Sequence, residues 1–174
     1  MIKGRDFMDV FERHFNLLRK SEKIFNTYYK DNTIGIPMPK TYNEDILRKG
    51  KDFLTASQIE YFLQVRCMHY EDVVKNELGN LTYLDWLVCL EEGVLLIYAV
   101  PLFSRILEKY PMLYGGNNEW QVLYEITMID KKIWNEYPEW EIYFKKLICN
   151  SVFEKDVKSS INKEYLYQFE KFIS

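Results

Sequence analysis

Histidine is nearly missing from this chain: only His14 and His69 occur in 174 residues. No pair of histidines four apart brackets a glutamate, and the residues three before the two histidines are Phe11 and Arg66. The helical patterns that hold zinc in proteases or two irons in carboxylate bundles are therefore excluded. Glycine-rich phosphate cradles are absent too, since neither GxxxxGK[ST] nor GxGxxG occurs. The three cysteines, Cys67, Cys89 and Cys149, are odd in number and widely spaced, which leaves no disulfide framework and no CxxC pair. Each sits among apolar residues, so buried free thiols are expected. Long apolar runs are missing as well. The longest, Val94 to Phe103, is about half a membrane span. No apolar segment follows the N-terminal Met1–Asp6, so no signal peptide is read and a cytoplasmic setting is expected.

Aromatic residues fill the space these absences leave. They make up 17% of the chain, within a hydrophobic share of 48%. Seven glycines and five prolines leave no room for extended linkers, and the length suits one domain over residues 1–174. The recurring apolar period is that of helices, and the expected architecture is an all-α bundle of about seven. Asp6 is placed to cap a first helix whose buried stripe would be Phe7, Phe11, Phe15, Leu18, Phe25 and Tyr28, ending near Lys30. Residues 31–42 form an irregular loop with Pro37, Pro39 and Gly35, and Ile34, Ile36 and Met38 are expected to pin it to the core.

A short turn over 43–51 then precedes a long helix. Thr55 with Gln58, or Ser57 with Glu60, has capping-box spacing, and Ile59, Phe62, Leu63, Tyr70, Val74 and Leu78 would share one face up to Gly79. Thr82 with Asp85 opens a further helix carrying Trp86, Leu87, Leu90, Val94 and Ile97. Val94–Val100 reads as helix in preference to strand because no partner strand is in sight, and Pro101 is expected to kink or restart it. Gly115 to Asn118 breaks the chain; helices follow over 118–136 and from Pro138, then a polar link over 151–160 and a last amphipathic helix. The strings Ile106–Pro111 and Ile133–Pro138 both end in Tyr-Pro, which fits either shared helix-stop chemistry or stacked helical hairpins.

Net charge is −3, divided unevenly: +3 over residues 1–66 and −6 over the remainder. Glu71, Asp72, Glu77, Asp85, Glu91 and Glu92 face a single Lys75, a bias against nucleic-acid phosphates and toward a basic protein. Glu91 and Glu92 lie about 100° apart on a helix, so one at most faces inward, and a partner such as Arg66 or Arg105 is expected for it. Trp134, Tyr137 and Trp140 flank a proline corner expected at the surface, where aromatic side chains serve as docking anchors.

The functional expectation is a non-enzymatic, protein-binding module of the immunity or inhibitor type. Its usage of Lys, Asn, Ile and Tyr is that of an AT-rich bacterial or phage genome. The expected partner-binding residues are Glu71, Asp72, Glu77, Asp85, Trp134, Tyr137 and Trp140, with no cofactor and no metal. The rival class is a small-molecule binder or enzyme with an aromatic pocket and one buried carboxylate, Glu91 or Glu92. A third class is a nucleic-acid adaptor using Arg48, Lys49 and Lys51.

Overall fold

The computed structural model describes residues 4–31 and 33–174, with side chains from residue 8 onward. Among the described residues there are ten α-helices and no strand. They are α1 (Gly4–Tyr28), α2 (Tyr42–Asp45), α3 (Ala56–Gln64), α4 (Met68–Lys75), α5 (Tyr83–Glu92), α6 (Leu96–Lys109), α7 (Gln121–Thr127), α8 (Lys131–Glu136), α9 (Pro138–Ile148) and α10 (Lys163–Ile173). The all-α single domain stands, with more and shorter helices than the periodicity predicts. No described helix is long and apolar enough to cross a membrane.

Helix α6 is the axis of the core. Every residue from Tyr98 to Leu107 is buried, including Ser104 and Arg105. Pro101 does not restart this helix; it lies inside it. Ser104 Oγ donates to the Pro101 carbonyl at 2.6 Å. Ser104 Oγ also accepts from the Ile36 amide at 2.7 Å, and Glu108 accepts from the Gly35 amide at 3.1 Å. These bonds, with buried Ile36, fasten the proline loop across α6 as expected. Gly35 has φ +78, and a Cβ there would come within 2.5 Å of Ser104 Oγ, so only glycine fits this crossing.

Capping chemistry sets the helix starts. Both arms of the capping box form at Thr55–Gln58 and at Thr82–Asp85, and Pro138 occupies the first turn of α9. The long helix expected after Thr55 breaks at Arg66, whose φ of +52 ends α3 and lets α4 start at Met68. Leu63 is therefore exposed rather than part of the buried face. The helix expected over 118–136 also divides, because the Asp130 side chain accepts from the Lys132 amide and caps α8. Gly93 (φ +69) and Leu95 (φ +53) are both left-handed and turn α5 sharply into α6, so residues 96–100 are helical and Ile97 faces outward. Tyr110 and Tyr137 adopt nearly the same extended conformation before their prolines, φ −134 and −123 with ψ 72 and 67. The internal echo is thus one of helix-stop chemistry.

Three backbone hydrogen bonds hold the ends of the α3–α4 excursion together. The Leu78 amide donates to the Arg48 carbonyl at 2.9 Å, the Gly79 amide to Ile46 at 2.9 Å, and the Gly50 amide to Asn76 at 3.1 Å. Gly50 lies so close to α4 that a Cβ would stand 1.6 Å from the Val73 carbonyl oxygen.

Helix α1 departs from its predicted burial. Phe25 packs between Tyr83 and Phe103, and Ser21 Oγ accepts from the Tyr114 amide at 3.0 Å. Farther toward the N-terminus only His14, Leu17 and Leu18 retain partial cover, and Phe11 and Phe15 are exposed. The stripe named from periodicity slants out of the contact, because the body-facing line is His14, Leu17, Ser21 and Phe25. Helix α1 already begins at Gly4, so Asp6 lies within its first turn and is not the residue that caps it; the side chains of Asp6 and Phe7 lie outside the described ones. Of the thiols, Cys89 is buried, while Cys67 and Cys149 are half-buried; all three are free.

Candidate docking groove

The corner between α5 and α6 and the segment from α7 to α9 enclose two adjoining cavities of about 320 and 290 Å³. They share Gly93, Leu96 and Ile133 as lining residues, so they form one groove with two ends. The first end is acidic, with Glu91, Glu92, Glu125 and Asp130 in its wall and Lys132 as its one basic residue. The second is aromatic, lined by Phe53, Tyr98, Tyr137 and Trp140 with Glu136 at its margin. Tyr137 and Trp140 stack face to face, with ring centroids 4.2 Å apart and planes 12° apart.

The acids of this groove are not equivalent. Glu92 accepts from Tyr70 OH at 2.5 Å and from Tyr61 OH at 3.5 Å, so tyrosines replace the arginine partner expected from the sequence. Burial, then the hydrogen bond and charge of Glu92, hold the Tyr70 hydroxyl well above the usual phenol range. Glu91 keeps contact with water, yet partial burial, then the charge of Glu125, then that of Glu92 push its carboxyl up to about 7. Burial raises Glu125 as well, and the Gln121 side chain partly offsets this. Among the described residues neither Glu91 nor Glu125 has a basic group within 4.0 Å. A wall of crowded, uncompensated carboxylates beside stacked rings fits a cation carried on an apolar stem.

Of the partner-binding residues read from the sequence, only Tyr137 and Trp140 line this groove. Trp134 is buried; its Nε1 donates to the Ile129 carbonyl at 3.1 Å and its ring packs on Phe144 and Phe172. The expected aromatic surface corner is therefore core at Trp134 and groove wall at Tyr137 and Trp140. Glu71 is exposed, but its carboxylate is paired with Lys75 at 2.5 Å. Glu77 is exposed across from Lys49, where the two strands of backbone meet.

Asp85 is fully buried and unavailable to any partner. Its Oδ2 accepts from the Thr82 amide at 2.8 Å, and its Oδ1 accepts from His69 Nδ1 at 2.7 Å. Asp72 brings a third donor atom within 4.8 Å of these two. Both Asp85 oxygens are already engaged, so the cluster works as a clamp between α4 and the start of α5.

Comparison against protein families, curated proteins and solved structures finds no match for this chain.

Two further features from the sequence have their places. A cavity of about 430 Å³ lies between α1 and the loop after α6, with Arg13, His14, Tyr114, Asn118 and Asn162 in its wall. Its polar groups mostly satisfy one another: Tyr114 OH pairs with His14 Nδ1, Asn118 donates to Tyr165 OH at 3.3 Å, and Asn162 caps α10. The basic cluster at Arg48 is likewise occupied, since its guanidinium lies 3.7 Å from Asp45, 3.8 Å from Asp52 and over the Phe53 ring. Sequence reasoning missed Glu125, Asp130, Phe53 and Tyr98 as groove residues. The apolar period carries the helix from Thr82 through Gly93 to Ile97, and the glycine between an acidic helix end and an apolar run was the available signal for a corner.

Proposed function

We propose that this chain is a non-enzymatic binding module that takes a basic, amphipathic segment of a partner protein into the groove between the α5–α6 corner and α7–α9. A role of the immunity or inhibitor type follows from that reading, with the module covering a cationic surface of its partner. The observation that carries it is the continuity of the two cavities. A lysine or arginine can place its charge against Glu91 and Glu125 while neighbouring apolar groups rest on Tyr137 and Trp140. Of the acidic stretch Glu71–Glu92, this reading keeps Glu91 and Glu92 and adds Glu125 and Asp130.

The test uses fluorescent peptides that space lysine or arginine next to leucine or aromatic residues, titrated with the full chain. Affinity is expected to fall with salt and to rise between pH 6 and pH 8 as Glu91 (about 7) loses its proton. A Glu91→Gln/Glu125→Gln variant should bind weakly at both pH values, and Tyr137→Ala should weaken binding without changing its pH dependence. Equal binding of acidic control peptides, or affinities untouched by these substitutions, would overturn the reading.

A second reading has support in size. Each cavity is near the lower bound of roughly 300 Å³ for small-ligand sites, which suits an amphipathic amine. Thermal shifts with aliphatic and aryl amines distinguish it from a peptide partner, because a ligand of the native state raises apparent stability.

A further inference from the structure

The aromatic end of the groove offers more than an apolar rest for a side chain. Four rings from three parts of the chain meet there: Phe53 before α3, Tyr98 on α6, and Tyr137 and Trp140 at the joint of α8 and α9. Tyr98 and Trp140 are each 5% exposed and so are fixed in the body, while Phe53 and Tyr137 are half-buried. The rings hold one another in pairs. Phe53 meets Tyr98 edge to face with centroids 5.7 Å apart, as Tyr137 meets Trp140 by stacking. Tyr98 OH donates to Asp45 at 2.6 Å, which leaves the ring and not the hydroxyl for a ligand. The rest of the wall is glycine or aliphatic apart from Glu136. That carboxylate is exposed and has no basic group within 4.0 Å among the described residues.

We propose that this end is an aromatic cage for a trimethylammonium group, which rests on the reading of the whole groove as a cation site. Hydrogen bonding divides the two ends. A primary ammonium or a guanidinium leaves strong bonds to water behind and needs acceptors in their place. Glu91 and Glu125 supply these at the acidic end, whereas the side chains of the aromatic end offer Glu136 and little else. A quaternary ammonium has no N–H to satisfy, and its charge, spread over methyl groups, is attracted to ring faces. Phe53 already carries one contact of this kind, since the Arg48 guanidinium lies 4.5 Å from its centroid. Arg48 is not part of the cavity wall, and Asp45 and Asp52 balance its charge at 3.7 and 3.8 Å. The cavity continues into the acidic end past Gly93, Leu96 and Ile133, which gives the stem of the ammonium a path along the groove.

The experiment titrates the full chain by calorimetry and tryptophan fluorescence with three probes of one shape: choline, the neutral alcohol with tert-butyl in place of trimethylammonium, and tert-butylacetate. Choline should bind about tenfold more tightly than the neutral alcohol. Tetramethylammonium should displace it, and ammonium at the same ionic strength should not. Tyr137→Leu should lose the preference for charge and Tyr137→Phe should keep it, because the ring face makes the contact; circular dichroism checks that both fold. Equal affinity for choline and the neutral alcohol overturns the cage. So does tighter binding of tert-butylacetate, which the start of α6, without a side-chain cap, would favour. The lysine peptides that test the groove are then compared with copies trimethylated at lysine. About tenfold tighter binding of the methylated copies supports the cage and gives it a protein source. Choline binding without peptide binding keeps the cage, assigns it to a choline-type small molecule and overturns the peptide reading alone. Peptides that bind equally with and without methylation, with no binding of choline, overturn the cage and leave the peptide reading standing.

Discussion

Replacing Asp85 with alanine will unbalance the molecule far from any partner. The carboxylate is wholly buried and makes two bonds at once, to the Thr82 amide and to His69 Nδ1, at 2.8 and 2.7 Å. Losing its part in the capping box costs about 1 kcal/mol. Losing a charge-assisted bond to His69, which leaves that nitrogen poorly satisfied, costs about 1.5–3 kcal/mol. The total is about 2.5–4 kcal/mol, a large share of the roughly 5–15 kcal/mol that holds a domain of ordinary stability together. Asp85→Asn keeps the volume and one acceptor and should cost about half as much. Thr82→Ala removes only the hydroxyl half of the box and should cost about 1 kcal/mol. Urea unfolding followed by circular dichroism measures all three. A loss below about 1 kcal/mol for Asp85→Ala would refute the reasoning, because a surface acid behaves that way.

Other expected outcomes are as direct. Glu91 has its carboxyl raised from 4.5 to about 7, so the folded chain holds a proton that the unfolded chain has released across that window. Stability should therefore decline as pH rises from about 4.5 to 7, and Glu91→Gln should flatten that decline in thermal melts; an unchanged slope counts against the crowded acidic wall. Gly50→Ala forces a methyl into the Val73 carbonyl and should destabilise by about 3 kcal/mol, read from the urea midpoint. All four tryptophans are at most 5% exposed, so native fluorescence should be blue-shifted and weakly quenched by acrylamide. Strong quenching would place one of them at the surface after all. Burial pushes the Cys89 thiol far up, so a disulfide reagent should titrate Cys67 and Cys149 in the native protein and reach Cys89 only on unfolding.

Where side chains bond to their own backbone, the sequence was a good guide. The boxes at Thr55–Gln58 and Thr82–Asp85 and the Pro138 start all use neighbours within a few residues, and all are present, whereas the helix read from Thr82 through Ile97 is cut at Gly93. Asp85 illustrates the limit: the same spacing that marks it as a capping residue also removes it from the surface, and counting it as an exposed charge ignored that. The break at Arg66 left no trace, because the left-handed residue there is not a glycine and the apolar period runs through it. Periodicity in α1 identified apolar residues but not which of two adjacent stripes the body would cover. The groove was the least legible feature. Glu91 and Glu125 come together only through the α5–α7 packing, and no local pattern encodes a neighbour 34 positions away.

The clasp between residues 46–50 and 76–79 gives the molecule an order of assembly. Closing that span brings together groups about thirty positions apart, and the entropic cost of closure grows only slowly with length. The attachment of α1 is of another kind, since Ser21 meets Tyr114 across 93 positions. On closure entropy alone, the clasp is expected to form before the N-terminal helix is seated.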